Sequence, residues 1–344
     1  MIRMNPLKFG IIGCSRIAKR SVIPAILESE FAELEMIGSR TVEKAKELAK
    51  ELGCHKYGTY EDVMSNNEVD VVYISTPIGT HEELAKKATS AGKHVYCEKS
   101  STYNLESAKS MVENAKQNNV RIMEGFMFRF HSQHKKVRDL IDGEKIGDLI
   151  AFNSIFGFPA FPKNDIRYTD KIGGGFLNDC GCYPVCSSRM IFNEEPLSVY
   201  YNRQSNDPET GVDIRGTSIL KYKNDKVATL TYGNGNFYQA NYEVWGNDGF
   251  ISLDRAYSVP PDFVTRVNLQ YTVENNWNGR REEIFEIKPE NHFLKMIDTF
   301  CLDISGKKKS LLNFEDELLN QAKVMEAHRL SDKSHKEEWL SDIF

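Results

Sequence analysis

The stretch "KFGIIGCSRIAKRSVIPAI", residues 8–26, decides the fold that the sequence predicts. The apolar run at residues 7–12 leads into a glycine, as expected for a strand buried in a parallel sheet. Apolar residues at helical spacing follow between Ile17 and Leu27. The stretch therefore predicts a buried strand, a tight turn and a helix that packs against the strand.

The turn matches the pattern G-x-G-x-x-G/A as Gly13-x-Ser15-x-x-Ala18, which indicates a dinucleotide site. Gly13 permits the tight turn, and Ala18 is small enough for close packing of helix and strand. Ser15 replaces the second glycine, and its hydroxyl can donate to a phosphate oxygen at the helix N-terminus. Gly13, Ser15, Arg16 and Ile17 are therefore the candidate cofactor contacts here. Taken alone, the pattern also fits a strand–turn–helix that binds nothing.

Strands and helices alternate from this stretch to about residue 125. Buried strands are predicted at "VDVVYISTP" (69–77), "HVYCEKS" (94–100) and "VRIMEGF" (120–126), with helical patterns between them. Such alternation requires right-handed crossovers and a doubly wound parallel sheet. Residues 1–125 are therefore predicted to form an N-terminal Rossmann domain that binds NAD(P).

Residues 126–344 follow a different pattern and are predicted to form a second α/β domain. Segments from "LIAFNSIFGF" (149–158) to "EEIFEI" (282–287) alternate apolar and polar residues. This alternation predicts a largely antiparallel sheet with one face exposed or covered by a partner. We expect this domain to bind substrate and to mediate oligomerisation, and its final amphipathic helices are candidates to pack back on the Rossmann domain.

Composition excludes several classes of function. The 344 residues carry a formal net charge of −5, which gives no electrostatic argument for nucleic-acid binding. No apolar segment reaches the length of a membrane span, and the N-terminus lacks the apolar core of a signal peptide. Seven cysteines without a disulfide framework predict a cytoplasmic protein. Cys180, Cys182 and Cys186 have no second ligand group at zinc spacing, so we interpret them as packing residues and predict no metal.

The end of the second predicted strand indicates which dinucleotide binds. An NAD site usually places Asp or Glu there, whereas this chain has Ser39 and Arg40. A guanidinium beside a hydroxyl favours a 2′-phosphate, so NADP(H) is the preferred cofactor. The alternatives are NAD(H) with Arg40 stacked on the adenine, or a solvated arginine.

Glu98 and Lys99 follow a predicted parallel strand directly. Open α/β sheets bind ligands at the carboxyl ends of their strands. A lysine at this position can protonate or polarise a substrate carbonyl oxygen, and desolvation would lower its pKa toward neutral pH. The alternative is a surface lysine at the end of a strand.

A third candidate segment is "GGGFLNDCGCYPV" (173–185). Its three glycines allow close approach of the backbone to a ligand, or a sharp entry into a helix. Asp179 and Tyr183 are four residues apart, so on a helix they share a face and suit the binding of a polyol. Pro184 requires that this helix begin, or bend, close to the tyrosine. A structural tyrosine is the alternative.

The set of motifs resembles the Gfo/Idh/MocA family, which includes glucose–fructose oxidoreductase and inositol dehydrogenase. The resemblance extends over nearly the whole chain and rests on Gly13 and Ala18, "STPIGTHEELAKKATSAGKHVYCEKS" (75–100), "MFRFHSQHKKVRDLIDGEKIGDL" (127–149) and "GGGFLNDCGCYPV". It implies a Rossmann domain followed by an α/β domain with a large, open, mostly antiparallel sheet that often mediates oligomerisation. The implied chemistry is NAD(P)-dependent oxidation or reduction of sugar and cyclitol carbons.

The resemblance also implies roles for individual residues. Lys99 matches the lysine of a Glu-Lys-Pro motif, and Glu98 matches the acidic residue beside the nicotinamide. Asp179 and Tyr183 match an Asp-x-x-x-His/Tyr pair. Thr76, Pro77 and His81 match the cofactor-side loop, and Arg167 matches an arginine on the substrate or cofactor side. Phe128, Arg129 and His131 match an aromatic–Arg–x–His segment, in which Phe128 is the candidate substrate contact. A structural role is the alternative for all three residues of this segment.

Two positions depart from the family pattern. Ser100 replaces a proline whose peptide bond is commonly cis; because a non-proline cis bond costs about 2.5–4 kcal/mol, a differently shaped loop is expected. Tyr183 replaces the commoner histidine, as in the branch that contains keto-sugar reductases of nucleotide-deoxysugar pathways. In such a site Tyr183 would donate the proton, and Lys99 would lower its pKa or share the role.

The sequence thus predicts an NADP(H)-dependent oxidoreductase that transfers a hydride between nicotinamide and a sugar carbon. Reduction of a keto-sugar, free or nucleotide-linked, is preferred over oxidation of a free sugar, a cyclitol or a trans-dihydrodiol. A non-catalytic NADP(H)-binding sensor is the alternative from another class. The expected partners are the small-molecule substrate and further copies of the chain, as a dimer or tetramer. Core or interface positions are favoured for Tyr60, Tyr168 and Trp245.

Overall fold

The structure is a computed structural model that describes residues 5–273 and 277–343. Within this part of the chain the residues divide into two compact units. The first comprises the described residues up to Met127 together with His292–Leu319. The second comprises the described residues of Phe128–Asn291 and those from Asn320 onward. Residues 1–4, 274–276 and 344 of the predicted domains lie outside the described residues.

The regular elements are numbered in chain order over both units. The strands are β1 (Leu7–Ile12), β2 (Ala32–Gly38), β3 (Tyr57–Gly58), β4 (Val71–Ile74), β5 (His94–Cys97), β6 (Ile122–Glu124), β7 (Leu149–Phe158), β8 (Ser198–Asn206), β9 (Asp213–Lys221), β10 (Val227–Asn234), β11 (Gln239–Gly246), β12 (Gly249–Leu253), β13 (Thr265–Thr272), β14 (Arg280–Ile287) and β15 (Glu338–Trp339). The helices are α1 (Ile23–Glu28), α2 (Val42–Glu51), α3 (Tyr60–Ser65), α4 (His81–Ser90), α5 (Leu105–Gln117), α6 (Ser132–Asp142), α7 (Cys182–Phe192), α8 (His292–Ile304) and α9 (Phe314–Ser334).

The first unit contains a parallel sheet with the strand order β3-β2-β1-β4-β5-β6. Phe9, Ile11 and Ile12 of β1 are fully buried, as are all four residues of β4. Central strands covered by helices on both faces carry apolar residues at successive positions, which is the pattern seen here. The predicted doubly wound Rossmann sheet is confirmed.

Late segments of the chain attach to this unit through polar contacts. Arg121 donates from Nε and Nη2 to the carboxylate of Glu315 at 2.9 and 3.0 Å, and it also pairs with Asp303. Ser29 Oγ donates to Asp298 at 2.5 Å. A bidentate Arg–carboxylate pair fixes geometry as well as distance. The segment from α8 to the first turn of α9 is therefore part of the Rossmann unit.

Two local features of this unit differ from the prediction. Strand β3 and helix α3 are not predicted, although the capping box between Thr59 and Asp62 marks the start of α3. Thr41 occupies the N-cap of α2, as its sequence position predicts, but its side chain makes no capping hydrogen bond.

In the described part of the second unit, nine strands form a sheet in the order β14-β13-β12-β11-β7-β10-β9-β8-β15. Strands β7 and β10 are parallel, and the other neighbouring pairs are antiparallel. The predicted mostly antiparallel sheet is confirmed. Helix α7, which follows the glycine run, packs against β7 and β10 on one face of the sheet.

The opposite face of this sheet, here called the outer face, carries exposed apolar side chains. Tyr200 and Ile219 are cross-strand neighbours and are each 42% exposed. Ile155, Trp245 and Ile284 are 44%, 55% and 57% exposed. The alternation of burial along these strands matches the exposed face that the sequence predicts, and it places Trp245 on the outer face rather than in the core.

Candidate active site

The turn after β1 has the backbone geometry that requires glycine. Gly13 has a φ of +100°, and a Cβ at this position would lie 3.0 Å from the carbonyl oxygen of Ser75. Ser15 Oγ accepts a hydrogen bond from the backbone N–H of Ala18 at 3.1 Å. Because a hydroxyl is both donor and acceptor, Ser15 keeps its own proton for a ligand oxygen.

The helix after this turn begins at Arg16, which is exposed, and Ile17, which is partly buried. Ala18–Val22 is a π-helical segment that continues into α1. Backbone N–H groups at a helix start attract phosphate oxygens. The glycine, the serine hydroxyl and the helix start fit the pyrophosphate of a dinucleotide.

The end of β2 carries the residues predicted to select the cofactor. Ser39 is 6% exposed, and its Oγ accepts a hydrogen bond from the N–H of Thr41 at 3.4 Å. Arg40 is exposed and lies next to Tyr60. Burial raises the pKa of Tyr60, and the positive charge of Arg40 opposes this rise. Tyr60 is thus half-buried beside Arg40 and is not a fully buried core residue, so of the two positions favoured by the sequence the interface stays a prediction.

The loop after β4 is closed by side-chain hydrogen bonds. The hydroxyls of Thr76 and Thr80 are 2.7 Å apart, and Thr80 Oγ1 donates to the carbonyl of Pro77 at 2.7 Å. These contacts hold Thr76 and Pro77 at the carboxyl edge of the sheet, which is where ligands bind in this fold.

His81 links this loop to the loop after β5. Its Nε2 lies 2.8 Å from the carbonyl oxygen of Thr76, and its Nδ1 lies 3.2 Å from the carbonyl oxygen of Ser101. The ring is 1% exposed, and burial lowers its pKa. Both ring nitrogens of His81 face backbone carbonyls, which makes it a positioning residue of the loop, and its predicted place among the cofactor-binding residues stays a prediction.

Glu124, at the carboxyl end of β6, fixes the same loop from the other side. Its Oε1 accepts a hydrogen bond from the N–H of Ser101 at 2.7 Å. Glu124 is not among the residues predicted from the sequence, although its position at the end of a predicted strand gives the same signal that identified Glu98.

Glu98 is buried at the end of β5 and is 9% exposed. Its Oε1 accepts hydrogen bonds from the hydroxyls of Tyr73 at 2.9 Å and Tyr96 at 3.3 Å. Burial raises the pKa of Glu98, whereas the Tyr73 hydrogen bond and the charge of Lys99 oppose the rise. Two tyrosine hydroxyls therefore satisfy an acidic group that burial would otherwise penalise.

Lys99 follows at the carboxyl edge, where the predicted strand placed it. The peptide bond between Lys99 and Ser100 is cis. A loop of different shape was expected because Ser100 replaces a proline whose peptide bond is commonly cis. At this bond the expectation is wrong, since the bond before Ser100 is cis as well.

In the second unit, Asp179 and Tyr183 lie on one helical stretch with two geometries. Asp179 is in the π-helical turn Leu177–Gly181, and Tyr183 is the second residue of α7. The spacing therefore runs across a π-helical and an α-helical segment rather than the single helix type that the sequence suggested, and the shared face of the two side chains stays a prediction. Pro184 is the third residue of α7, which begins directly after the π-helical turn, in agreement with the predicted helix start or bend near the tyrosine.

Arg167, which the resemblance placed on the substrate or cofactor side, forms an ion pair with Asp179. Its Nε donates to Asp179 Oδ2 at 2.7 Å, and its Nη1 donates to Asp165 Oδ1 at 2.9 Å. The guanidinium also lies over the ring of Phe161, 4.2 Å from the centroid. Burial opposes the charge of Arg167, but the two carboxylates outweigh it and raise its pKa.

Tyr183 is 5% exposed and lies among aromatic rings. The ring centroids of Phe156, Tyr257 and Phe128 are 5.0, 5.5 and 5.6 Å from its own. Phe128 is fully buried, so its predicted substrate contact is not supported, and it packs against Tyr183 instead. Tyr168 is 5% exposed and accepts a hydrogen bond from the side chain of Asn234 at 2.8 Å, which agrees with the favoured core position.

The other residues of the aromatic–Arg–x–His segment are placed differently from one another. His131 is buried, and its Nδ1 accepts a hydrogen bond from the N–H of Gln133 at 3.2 Å, whereas Arg129 is half-buried. These positions favour the structural interpretation. Cys180, Cys182 and Cys186 are buried and not joined in disulfides, in agreement with their interpretation as packing residues.

Within residues 5–273 and 277–343, no group of three His, Cys, Asp or Glu side chains could hold a metal ion. Over the same residues, every helix is too short or too polar to cross a bilayer.

Comparison with known proteins identifies relatives over both units. Residues 7–126 match the sequence model of an oxidoreductase family with an NAD-binding Rossmann fold, Gfo/Idh/MocA. Residues 134–252 match the model of the Gfo/Idh/MocA C-terminal domain.

Individual relatives cover most of the chain. The dTDP-3,4-didehydro-2,6-dideoxy-alpha-D-glucose 3-reductase of Saccharopolyspora spinosa is 32% identical over 87% of this chain and 88% of its own. A trans-1,2-dihydrobenzene-1,2-diol dehydrogenase of Xenopus laevis is 32% identical over 92% of this chain and 98% of its own.

A solved structure is similar over the same extent. KijD10, a 3-ketoreductase from Actinomadura kijaniata in complex with NADP and TDP-benzene, superposes with a TM-score of 0.87. It is 28% identical in sequence, and the match covers 95% of this chain and 98% of KijD10. The order of motifs, the two sheets and these matches agree, and the chain belongs to the Gfo/Idh/MocA family of oxidoreductases.

Proposed function

We propose that the chain is an NADP(H)-dependent reductase of a keto-sugar that is linked to a nucleoside diphosphate. The observation that carries the proposal is the placement of Lys99 at the carboxyl end of β5, on a loop fixed by His81 and Glu124. The similarity to a dTDP-keto-sugar reductase over 87% of the chain supports the choice of substrate class.

The cofactor contacts of the proposal belong to the first unit. Gly13, Ser15, Arg16 and Ile17 would hold the pyrophosphate, because the glycine leaves room for it and the helix start attracts its charge. The remaining proposed contacts are Ser39 and Arg40 at the 2′-phosphate, Thr76 and Pro77 beside the nicotinamide, and Glu98 and Lys99 at the edge of β5. When bound, NADPH supplies the hydride that reduces the substrate carbon.

Lys99 and Tyr183 are proposed to polarise the substrate oxygen and to transfer a proton to it. An ammonium group polarises a carbonyl and stabilises the alkoxide that develops on it. The tyrosine hydroxyl donates a proton to that oxygen, and a neighbouring positive charge lowers the pKa of a phenol and so assists this transfer.

Asp179 and Arg167 are proposed to orient the sugar. The two side chains form an ion pair, and a carboxylate and a guanidinium are groups that accept from and donate to sugar hydroxyls. A fixed pair of this kind places a ring carbon with little loss of side-chain freedom on binding.

The test of the reaction is consumption of NADPH by the purified chain with a panel of dTDP-linked keto-sugars and the corresponding free sugars. We expect turnover with the nucleotide-linked compounds and little with the free ones. Binding of NADPH without consumption of any compound in the panel would instead favour a sensor and contradict the proposal.

A second candidate is the oxidation of trans-dihydrodiols, which the similarity to the Xenopus laevis dehydrogenase favours. The same residues serve this reaction in reverse, since the group that donates a proton in reduction accepts it in oxidation. This candidate would be favoured if the protein reduced NADP⁺ with trans-dihydrobenzenediol and did not oxidise NADPH with keto-sugars.

The preference for NADP(H) is tested with Arg40→Ala. Loss of a hydrogen-bonded charge costs about 1.5–3 kcal/mol, so NADPH affinity should fall by roughly tenfold to a hundredfold while NADH affinity changes little. Lys50→Ala, an exposed cation in the last turn of α2, is the control and should change neither affinity. Equal losses for NADPH and NADH in Arg40→Ala would contradict the 2′-phosphate assignment.

We further propose that the outer face of the nine-stranded sheet joins copies of the chain into a dimer or tetramer. Exposed apolar side chains across several strands, Trp245 among them, are a feature of interaction surfaces. Trp245→Glu should therefore shift the protein to a smaller species in sedimentation. The seven cysteines, all of them among the described residues, form no disulfide, which supports a reducing cytoplasm as the location.

A further inference from the structure

The helical stretch that carries Asp179 and Tyr183 begins at a residue without a side chain. Phe176, just before the π-helical turn, is already helical, and the N–H of Asp179 bonds to the carbonyl of Gly175 at 3.3 Å, so Gly175 is the N-cap of the whole stretch. Helix N-caps are usually Ser, Thr, Asp or Asn, whose side chains satisfy the first free N–H groups. Gly175 cannot do so, and its φ of +102° is in the left-handed region.

A carboxylate from another strand takes the place of that missing cap. Asp213, the first residue of β9, accepts a hydrogen bond at Oδ2 from the N–H of Leu177 at 2.5 Å, and the backbone of Phe176 also bonds to its carboxylate. A Cβ on Gly175 would overlap Asp213 Oδ1. The glycine and the aspartate therefore depend on each other: the first makes room for the cap that the second supplies.

The adjacent strands hold this carboxylate in place. Tyr232, on β10, donates from its hydroxyl to Asp213 Oδ2 at 2.7 Å, and its hydroxyl also bonds to that of Tyr201 on β8. Tyr232 and Tyr201 are 4% and 2% exposed. Because β8, β9 and β10 are neighbours in the sheet, the position of the cap is set by the sheet and not by the glycine loop.

A second set of contacts ties the glycine run to the same stretch. Asn178 Nδ2 lies 3.3 Å from the carbonyl oxygens of Gly173 and Gly174. Arg329, on α9, donates from Nη2 to Asn178 Oδ1 at 2.8 Å. These contacts order the loop, but the hydrogen bonds of Asp213 go to the helical backbone that leads directly to Asp179.

We propose that Asp213 is a positioning residue for Asp179 and Tyr183, acting as a long-range N-cap that connects their helix to the sheet. This inference rests on the proposed function, since it assumes that these two residues meet the substrate. A carboxylate at a helix N-terminus satisfies free N–H groups and interacts favourably with the helix dipole. Removal of the cap frees the first turn to fray or shift, and Asp179 lies within that turn.

The test compares Asp213→Asn and Asp213→Ala with the wild type at saturating NADPH. A misplaced Asp179 should lower kcat by about tenfold in the asparagine variant and further in the alanine variant. Affinity for NADPH should stay within about twofold, because the proposed cofactor contacts all belong to the first unit. If the alanine variant does not fold, the asparagine variant and Tyr232→Phe, which removes one support of the carboxylate, still decide the outcome.

Tyr222→Phe is the matched control for a merely structural effect. Tyr222 is 2% exposed, and its hydroxyl bonds to Ser188 Oγ at 2.8 Å, farther along α7. The variant loses a buried hydrogen bond to the same helix without touching its first turn. We expect it to lower the midpoint of denaturation and to leave kcat unchanged. Equal loss of kcat in Tyr222→Phe and Asp213→Asn, at equal loss of stability, would overturn the proposal.

Hydrogen exchange gives a readout that does not depend on activity. The amides of Phe176 and Leu177 should exchange about tenfold faster in Asp213→Asn than in the wild type or in Tyr222→Phe. Unchanged exchange overturns the cap, and faster exchange with an unchanged kcat overturns its positioning role. A wild-type protein without turnover would contradict the proposed function instead, and the exchange rates would then support or overturn the cap by themselves.

Discussion

Lys99 and Tyr183, one in each unit, are held by different physical means. Lys99 lies on a loop, and the backbone next to it is fixed by directional polar contacts from His81 and Glu124 to Ser101. Tyr183 lies in a helix, and its ring is enclosed by other aromatic rings. A loop residue thus depends on a few hydrogen bonds, whereas a helix residue depends on the packing of the core.

The difference predicts different consequences of substitution. Removing a hydrogen-bonding partner should move the Lys99 loop at modest cost in stability, because few apolar contacts are lost. Removing a ring beside Tyr183 should lower stability first, because close-packed interiors do not adjust fully to a cavity. The four predictions below test this contrast.

The largest effect is expected from Lys99→Met. Loss of the ammonium should lower kcat by about 10²–10⁴-fold while NADPH affinity, measured by its fluorescence, stays nearly unchanged. Lys93→Met is the matched control, because Lys93 lies before the same strand and donates to the carbonyls of Asn66 and Val69 at 2.9 and 2.8 Å. The control should lose stability and keep its turnover. Full turnover in Lys99→Met would remove this lysine from the mechanism.

Phe156→Ala tests the aromatic packing around Tyr183. Phe156 is 4% exposed, and its loss should lower the free energy of unfolding of the second unit by about 3–5 kcal/mol. Turnover should fall as well, because the tyrosine ring loses a neighbour at 5.0 Å. Phe192→Ala, at the other end of α7, should cost similar stability in chemical denaturation without lowering turnover. A loss of turnover in Phe156→Ala with no loss of stability would contradict the contrast drawn here.

His81→Ala tests the loop. A neutral imidazole donates to one carbonyl, so one buried backbone carbonyl loses its donor, which costs about 1–3 kcal/mol, and kcat should fall by roughly tenfold because Lys99 is less well placed. His81→Gln keeps one donor and should lie between the wild type and the alanine variant. His94→Ala is the control, since His94 accepts from the N–H of Arg121 at 2.9 Å at the opposite end of β5. Equal kcat in the two alanine variants would show that the link through His81 does not position the lysine.

The smallest effect is a pH dependence at Glu98. Burial raises its pKa above the ordinary value of 4.5, so the folded state binds this proton more tightly than the unfolded state. Its contribution to stability is therefore complete below the ordinary pKa and is lost as pH rises through the folded value. Glu98→Gln does not titrate and still accepts from Tyr73, so its stability relative to the wild type should increase with pH over this range.

An exposed glutamate provides the opposite sign. The hydrogen bond from Lys87 lowers the pKa of Glu83, so its contribution is present above the ordinary pKa and is lost as pH falls. Glu83→Gln should therefore become relatively less stable as pH rises. Denaturation midpoints of both variants across the same pH series provide the comparison, and parallel curves would contradict the assigned directions.

The sequence predicted those features that depend on neighbouring residues. The dense apolar runs of β1 and β4 predicted a doubly wound sheet, because strands covered on both faces leave no polar positions. Gly13 predicted a turn that no other residue permits. The placement of Lys99 followed from its position directly after a strand, since the carboxyl ends of parallel strands lie at one edge.

Features that depend on distant residues could not be read from the sequence. The Asp179–Tyr183 spacing predicted a shared helical face, but it did not show that the backbone is π-helical at Asp179 and α-helical at Tyr183. Phe128 matched a substrate-side motif, yet its ring is buried against Tyr183. His81 matched a cofactor-side motif, yet both of its ring nitrogens face backbone carbonyls.

The sequence by itself therefore determined the family, the order of the two domains and the chemical groups available for catalysis, because these are written in local patterns and short motifs. Only the tertiary structure decided how these groups are held. Asp213 caps the helix through a hydrogen bond with the N–H of Leu177, a residue that lies 36 positions earlier in the chain. Such a contact depends on strand order and sheet register, which bring together residues that no local pattern connects.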